Sequence, residues 1–243
     1  MTGSRRADGR EPDQLRPVRI TPGFVDTAPG AVLMEMGRTR VMCTAALEER
    51  VPPFLTGRGK GWLTAEYGML PGSSPQRVTR EASTGRPNSR SREIQRLIGR
   101  SLRATVDLSV LGERTVYVDC DVLQADGGTR TAAITGAFVA LRLAVRRWQA
   151  DGVLAADPVT TQVAAVSAGI VGGSPMLDLC YVEDASADTD LNAVMTAAGE
   201  IIEVQATAEG TPLTRRECAD LIELAAAGIE RLIRAQSRAL KRP

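Results

Sequence analysis

Between residues 16 and 50 the apolar positions alternate or run together, first in "RPVRI" and then in "AVLMEMGRTRVMCTAALEE", where Gly37-Arg38-Thr39 interrupts the run. Two such runs with a polar break predict an antiparallel hairpin. From residue 55 to 91 the pattern fails, because Gly57, Gly59, Gly61, Gly68, Gly72 and Gly85 are scattered with Pro71, Pro75 and Pro87 among Ser and Arg. A long irregular loop is expected there. "REIQRLIGRSLRATV" restores a helical period, with Ile94, Leu97, Ile98 and Leu102 on one face and Arg92, Arg96, Arg100 and Arg103 on another. That spacing predicts a basic amphipathic helix. "RTVYVDCDVLQ" sets Val116, Val118, Cys120 and Val122 on one side of a strand, and the helix expected after Arg130 packs Ile134, Phe138, Leu141, Val145 and Trp148.

The last third repeats the strand-then-helix order. "TTQVAAVSAGIV", "MLDLCYVED", "LNAVMTAAG" and "EIIEVQATA" are short β-rich runs separated by Gly, Asp and Ser. Thr214-x-x-Glu217 is a capping-box pattern, and Leu221, Ile222, Ala225, Ile229, Leu232 and Ile233 carry a helix to about Arg238. The order predicts an α+β protein of mixed sheets flanked by helices, in a single domain over 1–243 or two fused halves of one architecture. A basic N-terminal arm over 1–15 and a flexible basic loop over about 72–91 complete the expected organisation.

Composition narrows the possible chemistry. At 243 residues and 43% hydrophobic content the chain can bury one substantial core. Its longest weakly polar run, from 163 to 173, is short of the roughly 20 apolar residues a membrane span needs. The opening "MTGSRRADGREPDQLRPVRI" has arginines with no apolar stretch behind them, so a flexible arm is expected rather than a secretory signal, in a cytoplasmic protein. Cys43, Cys120, Cys180 and Cys218 lie far apart with no C-x-x-C pair, which favours reduced, mostly buried thiols. The chain has no histidine. Acid or base chemistry must therefore come from carboxylates, Lys, Tyr, Cys or metal-bound water.

Charge changes the picture more than composition does. Residues 1–106 hold 18 basic against 10 acidic side chains, whereas residues 151–210 hold none against 10. The two halves either neutralise each other inside one fold or offer a polyanion one surface and a cation another. Three stretches then stand out. At Gly127-Gly128-Thr129-Arg130 a glycine turn opens a helix, which offers an anion free N–H groups, a hydroxyl and a guanidinium, although an ordinary strand-to-helix turn has the same look. Arg77, Arg80, Arg86 and Arg90 in the long loop suit a row of phosphates, with few aromatics nearby for base stacking. Asp178, Glu183, Asp184, Asp188 and Asp190 form the densest acidic patch, which suits a cation or a carboxyl that keeps its proton.

Taken together these stretches resemble the ribonuclease PH family, bacterial phosphate-dependent exoribonucleases that trim transfer RNA 3′ ends. The matching pieces run in family order: "R-x-D-G-R-x-x-D-x-L-R-P" at 6–17, "GKGWLTAEYGMLPGS" at 59–73, "REIQRLIGRSLRA" at 92–104, "D-x-D-V-L-Q-A-D-G-G-T-R-T-A-A-I-T-G-A" at 119–137, and "LDLCYVED" through "DLN". The resemblance implies a βαβ-based fold, seen also in the second domain of a small-subunit ribosomal protein, and a ring of six built from three dimers. It implies phosphorolysis, in which inorganic phosphate cleaves the last phosphodiester of RNA and releases a nucleoside 5′-diphosphate. The phosphate site would fall on Arg90, Gly128, Thr129 and Arg130, with RNA gripped by Arg77, Arg80 and Arg86. Asp190 would protonate the departing 3′ oxygen, and Asp184 would help hold Mg²⁺, both acids lying at the metal. RNA is then the expected partner, rather than DNA or a membrane. The alternative is a non-catalytic RNA-binding ring subunit of an exosome-like assembly.

Overall fold

The computed structural model describes residues 6, 8–85 and 88–241. Among them, β1 (Val18–Pro22), β2 (Gly30–Met36) and β3 (Thr39–Glu48) follow one another as antiparallel neighbours, so the predicted hairpin is present and extended by one strand. β4 (Trp62–Met69), α1 (Ser89–Arg103) and β5 (Thr115–Gln124) form a βαβ unit in which the two strands are parallel neighbours. The five-stranded sheet has the order β1-β2-β3-β5-β4. β5 leads into α2 (Thr129–Ala150), and the chain then builds a second, antiparallel sheet from β6 (Val163–Val171), β7 (Ser174–Leu177), β8 (Thr189–Thr196) and β9 (Ile201–Ala208) in the order β7-β6-β8-β9. A short helical turn, α3 (Tyr181–Asp184), separates β7 from β8, and α4 (Arg215–Ala239) closes the chain.

Helix α2 lies between the sheets, against β2 and β3 on one side and β6 on the other. Fifteen of its residues are buried, from Thr129 to Trp148. Burial on nearly all sides explains why its apolar residues are not confined to one stripe. At Gly136 an added Cβ would stand 2.8 Å from both Cys43 Sγ and Met34 Cβ, so the missing side chain sets how closely the helix approaches the first sheet. A single apolar core runs from Val32 and Val118 through Ile134 and Phe138 to Val166 and Leu232, joining both halves of the chain.

Three sequence expectations change. The 55–91 stretch is not one loop, because Leu63, Ala65 and Tyr67 of β4 alternate inward within it. Its last residues belong to α1, so Arg90 sits on a helix capped by the Asn88 side chain, which accepts from the Ser91 N–H. "MLDLCYVED" is not one strand, since β7 stops at Leu177 and α3 begins at Tyr181. The described part of the N-terminal arm is docked: Arg6 and Arg10 are buried, as is Arg16 just after the arm. Arg6 grips both Glu183 carboxylate oxygens at 2.8 and 2.7 Å, and Leu177 N–H donates to the Pro12 carbonyl at 2.8 Å. No helix of the described residues is long and apolar enough to cross a membrane.

Candidate active site

Helix α1 runs antiparallel to β4, as shown by Gln95 Nε2 donating to the Tyr67 carbonyl at 3.5 Å at one end and Arg103 Nη1 to the Leu63 carbonyl at 3.0 Å at the other. The N-terminus of α1 therefore lies at the carboxyl ends of β4 and β5, where α2 also begins. Two helix N-termini gather at one edge of a sheet, the usual place for an anion in such units.

The turn into α2 is built by backbone that only glycine accepts easily. Gly127 and Gly128 have φ of 74° and 62°. A Cβ on Gly127 would stand 2.6 Å from the Leu179 carbonyl oxygen and 2.9 Å from the Tyr181 N, so this glycine lets α3 pack onto the start of α2. No side chain caps α2, and its first N–H groups have no acceptor within the helix. Thr129 Oγ1 accepts from the Tyr67 hydroxyl at 2.8 Å. Burial pushes the Tyr67 phenol up, against the Thr129 hydrogen bond and the positive charges of Arg90 and Arg130. Tyr67 thus stays a hydrogen-bond donor, and the charges of both arginines reach its hydroxyl.

The second sheet supplies the opposite wall. Asp190 and Asn192 alternate with the core residues Leu191 and Ala193 along β8, so they face away from the core. A cavity of about 520 Å³ is lined by Glu93 of α1, Arg130 of α2, Asp190 and Asn192 of β8, and Val204, Gln205, Ala206 and Thr207 of β9. Arg130 Nη1 donates to Glu93 Oε1 and to Gln205 Oε1, each at 3.0 Å. Burial first, then the negative charge of Asp184, pushes the Asp190 carboxyl up, with Arg130 pulling the other way. The wall therefore holds a carboxyl that retains its proton to higher pH than an ordinary aspartate.

The remaining candidates divide. Asp184 is exposed at the end of α3, within electrostatic reach of Asp190. Arg90 is exposed on the first turn of α1. Arg77 and Arg80 are exposed on the segment before the short turn Glu81–Thr84, and Arg86 lies outside the described residues. Asp178 and Glu183 leave the cation-binding candidates altogether. Asp178 is fully buried and accepts from Arg16 Nη2 at 2.6 Å, Arg16 Nε at 3.1 Å and the Arg16 backbone N–H at 2.8 Å. Burial works to raise the Glu183 carboxyl, but the Arg6 guanidinium and the Cys180 N–H outweigh it and hold the group at about 2. Among the described residues no group of three or more acids and cysteines stands ready to hold a metal ion. Tyr67, Glu93 and Gln205 carried no role in the sequence. Of these Tyr67 and Glu93 had a local signal, their places in matched motifs, and Gln205 had none.

A model of the 3′ exoribonuclease family, domain 1, matches residues 14–146, and the domain 2 model of the same family matches residues 161–228. Ribonuclease PH of Syntrophomonas wolfei subsp. wolfei is 57% identical over 235 residues, 97% of this chain and 98% of that protein. Ribonuclease PH of Neisseria gonorrhoeae is 56% identical over 231 residues, 95% of this chain and 96% of that protein. Among solved structures, the Archaeoglobus fulgidus exosome with RNA bound to the active site matches with a TM-score of 0.78 at 23% identity, over 94% of this chain and 91% of that one. Rice Rrp46 matches with a TM-score of 0.78 at 21% identity, over 97% and 100%. These distant structures speak for the fold alone. The chain belongs to the 3′ exoribonuclease family. Its activity is phosphorolytic 3′-to-5′ exonuclease action, with inorganic phosphate as substrate.

Proposed function

We propose that the cavity between the N-terminal ends of α1 and α2 and the strands β8 and β9 is where this reaction occurs, with Arg90, Gly128, Thr129 and Arg130 binding phosphate and with Asp184 and Asp190 serving the leaving side. The observation that carries the reading is that Arg130, on the first turn of α2, and Asp190 of β8, whose carboxyl is pushed up, line one cavity. Guanidinium groups and the free N–H groups of α2 would orient phosphate, so that one of its oxygens attacks the phosphorus of the terminal phosphodiester. The bond from phosphorus to the ribose 3′ oxygen breaks, Asp190 delivers its proton to that oxygen, and a nucleoside 5′-diphosphate departs. Run backward, the same steps add a nucleotide. Mg²⁺ fits the remaining negative charge: Asp184 beside Asp190 would hold it with phosphate oxygens and water, and it would neutralise the charge of the reacting phosphates.

The finer substrate is the 3′ single-stranded end of transfer RNA precursors, guided by the exposed Arg77 and Arg80 and by Arg86. A homohexamer of three dimers belongs to the same reading, and the open face of the five-stranded sheet, with exposed Phe24, offers it a surface to cover. Free thiols at all four cysteines suit the reducing cytoplasm. One core through both sheets supports treating the chain as a single functional domain. Incubating RNA with and without phosphate tests the site. Nucleoside diphosphates should appear only with phosphate, and Asp190→Asn should lose product while retaining RNA on a filter. Monophosphate products, or full turnover in Asp190→Asn, would remove the proposal.

A further inference from the structure

Arg130 is held from one side only. Both of its hydrogen bonds, to Glu93 and to Gln205, leave from Nη1. Among the described residues none accepts from its Nε or Nη2, the paired edge that suits two oxygens of one anion. Clamping the far nitrogen from two elements aims that edge without occupying it.

The clamp itself depends on how Gln205 is turned, since only the oxygen end of a side-chain amide can accept from Arg130. Gln205 Nε2 donates to Glu203 Oε1 at 3.0 Å, which leaves the amide oxygen facing the arginine. Glu203 in turn accepts from Arg100 Nε at 2.8 Å and Arg100 Nη2 at 2.9 Å. Arg100 stands seven residues beyond Glu93 on α1, two turns along the same helix face. The path from α1 to β9 to α2 and back to α1 is closed.

We infer that Glu93, Gln205, Glu203 and Arg100 form a closed circuit of positioning residues that sets the guanidinium of Arg130 for phosphate. This rests on the reading of Arg130 as a phosphate ligand. Glu93 and Gln205 act on Arg130 directly, whereas Glu203 and Arg100 act by fixing the Gln205 amide. The circuit ties α1 and α2 to β9 of the second sheet, so the phosphate side and the Asp190 side keep their relative placement through side chains as well as through the core.

The test is the split between phosphate KM and kcat, measured on an RNA with a free 3′ end. Glu93→Ala and Gln205→Ala should each raise phosphate KM about tenfold while lowering kcat less than about threefold, as expected when a ligand is misplaced rather than removed. Glu93→Gln, which keeps an acceptor, should recover most of the loss. Glu203→Ala should raise phosphate KM by about fivefold, and the pair Glu203→Ala/Gln205→Ala should be no worse than Gln205→Ala alone, because residues acting through one path are not additive. A lower phosphate KM in Glu93→Ala would mean that Glu93 competes with phosphate, and would overturn the inference. Additive losses in the pair, or unchanged KM in the folded single variants, would overturn it too. Arg130→Ala separates the levels. If it leaves phosphate KM unchanged the phosphate site itself is misassigned, and if it raises KM while the circuit variants do not, only the circuit falls.

Discussion

Asp178 and Glu183 come from the same short acidic stretch as Asp184 and Asp190, yet the two pairs meet opposite surroundings. The first pair is enclosed by Arg6, Arg10 and Arg16, with ion-pair distances of 2.7 Å from Arg6 to Glu183 and 2.6 Å from Arg16 to Asp178. Asp178 even holds the left-handed conformation at φ 54°, uncommon for a residue other than glycine. In the second pair, burial and then the charge of Asp184 push Asp190 up against the pull of Arg130 alone, where Glu183 is held down. Carboxylates that look alike in the chain are thus sorted by the cations that reach them. Where guanidinium groups arrive in full the acid is held ionised, and where they stop short its carboxyl is pushed up.

Removing a cation from the enclosed pair should produce the largest effect. Arg16→Ala leaves the buried Asp178 uncompensated and should cost about 3–5 kcal/mol of stability in denaturant titrations. A loss below about 1 kcal/mol would erase the contrast with the cavity pair. Acid should reveal the same asymmetry with a somewhat smaller effect. Because the Glu183 carboxyl is lowered in the folded state, its contribution is present above the ordinary glutamate range and lost as pH falls toward about 2. The unfolding free energy should therefore drop by on the order of 2–3 kcal/mol through this group between about pH 5 and 2, and Glu183→Gln should flatten that segment of the curve. The smallest effect sharpens the other side. Asp190 is raised, so turnover that needs its proton falls as pH rises through its elevated pKa, and Asp184→Asn, which removes a charge that raises it, should move this falling limb to lower pH. A limb that stays in place would detach Asp184 from the proton donor.

Much of the fold was legible because its signals are local. The stripe of Ile94, Leu97, Ile98 and Leu102, the alternation of Val116 to Val122 and the Thr214–Glu217 cap each lie within one element, and each is present. Strand β4 was hidden because its inward residues Leu63, Ala65 and Tyr67 span only five positions and glycines flank them. At the site, the helix start at Gly128 could be read from its glycines and following threonine. The arginines that neutralise Asp178 and Glu183 could not, because Arg6 and Arg16 lie more than 160 positions away and nothing near them marks their partners. The roles of Glu93 and Gln205 were invisible for the same reason: although Glu93 lies in a matched stretch, neither shows its partner until α1 and β9 bring the two to Arg130 of α2.

The tie between Arg6 and Glu183 spans 177 positions. On the ribosome, Arg6 must wait for the residues through 183 to be made before its acid emerges. The helical turn bearing Asp184 thus gains its anchor only after the first sheet already has all its strands available, and a shorter nascent polypeptide is denied a completed acidic wall.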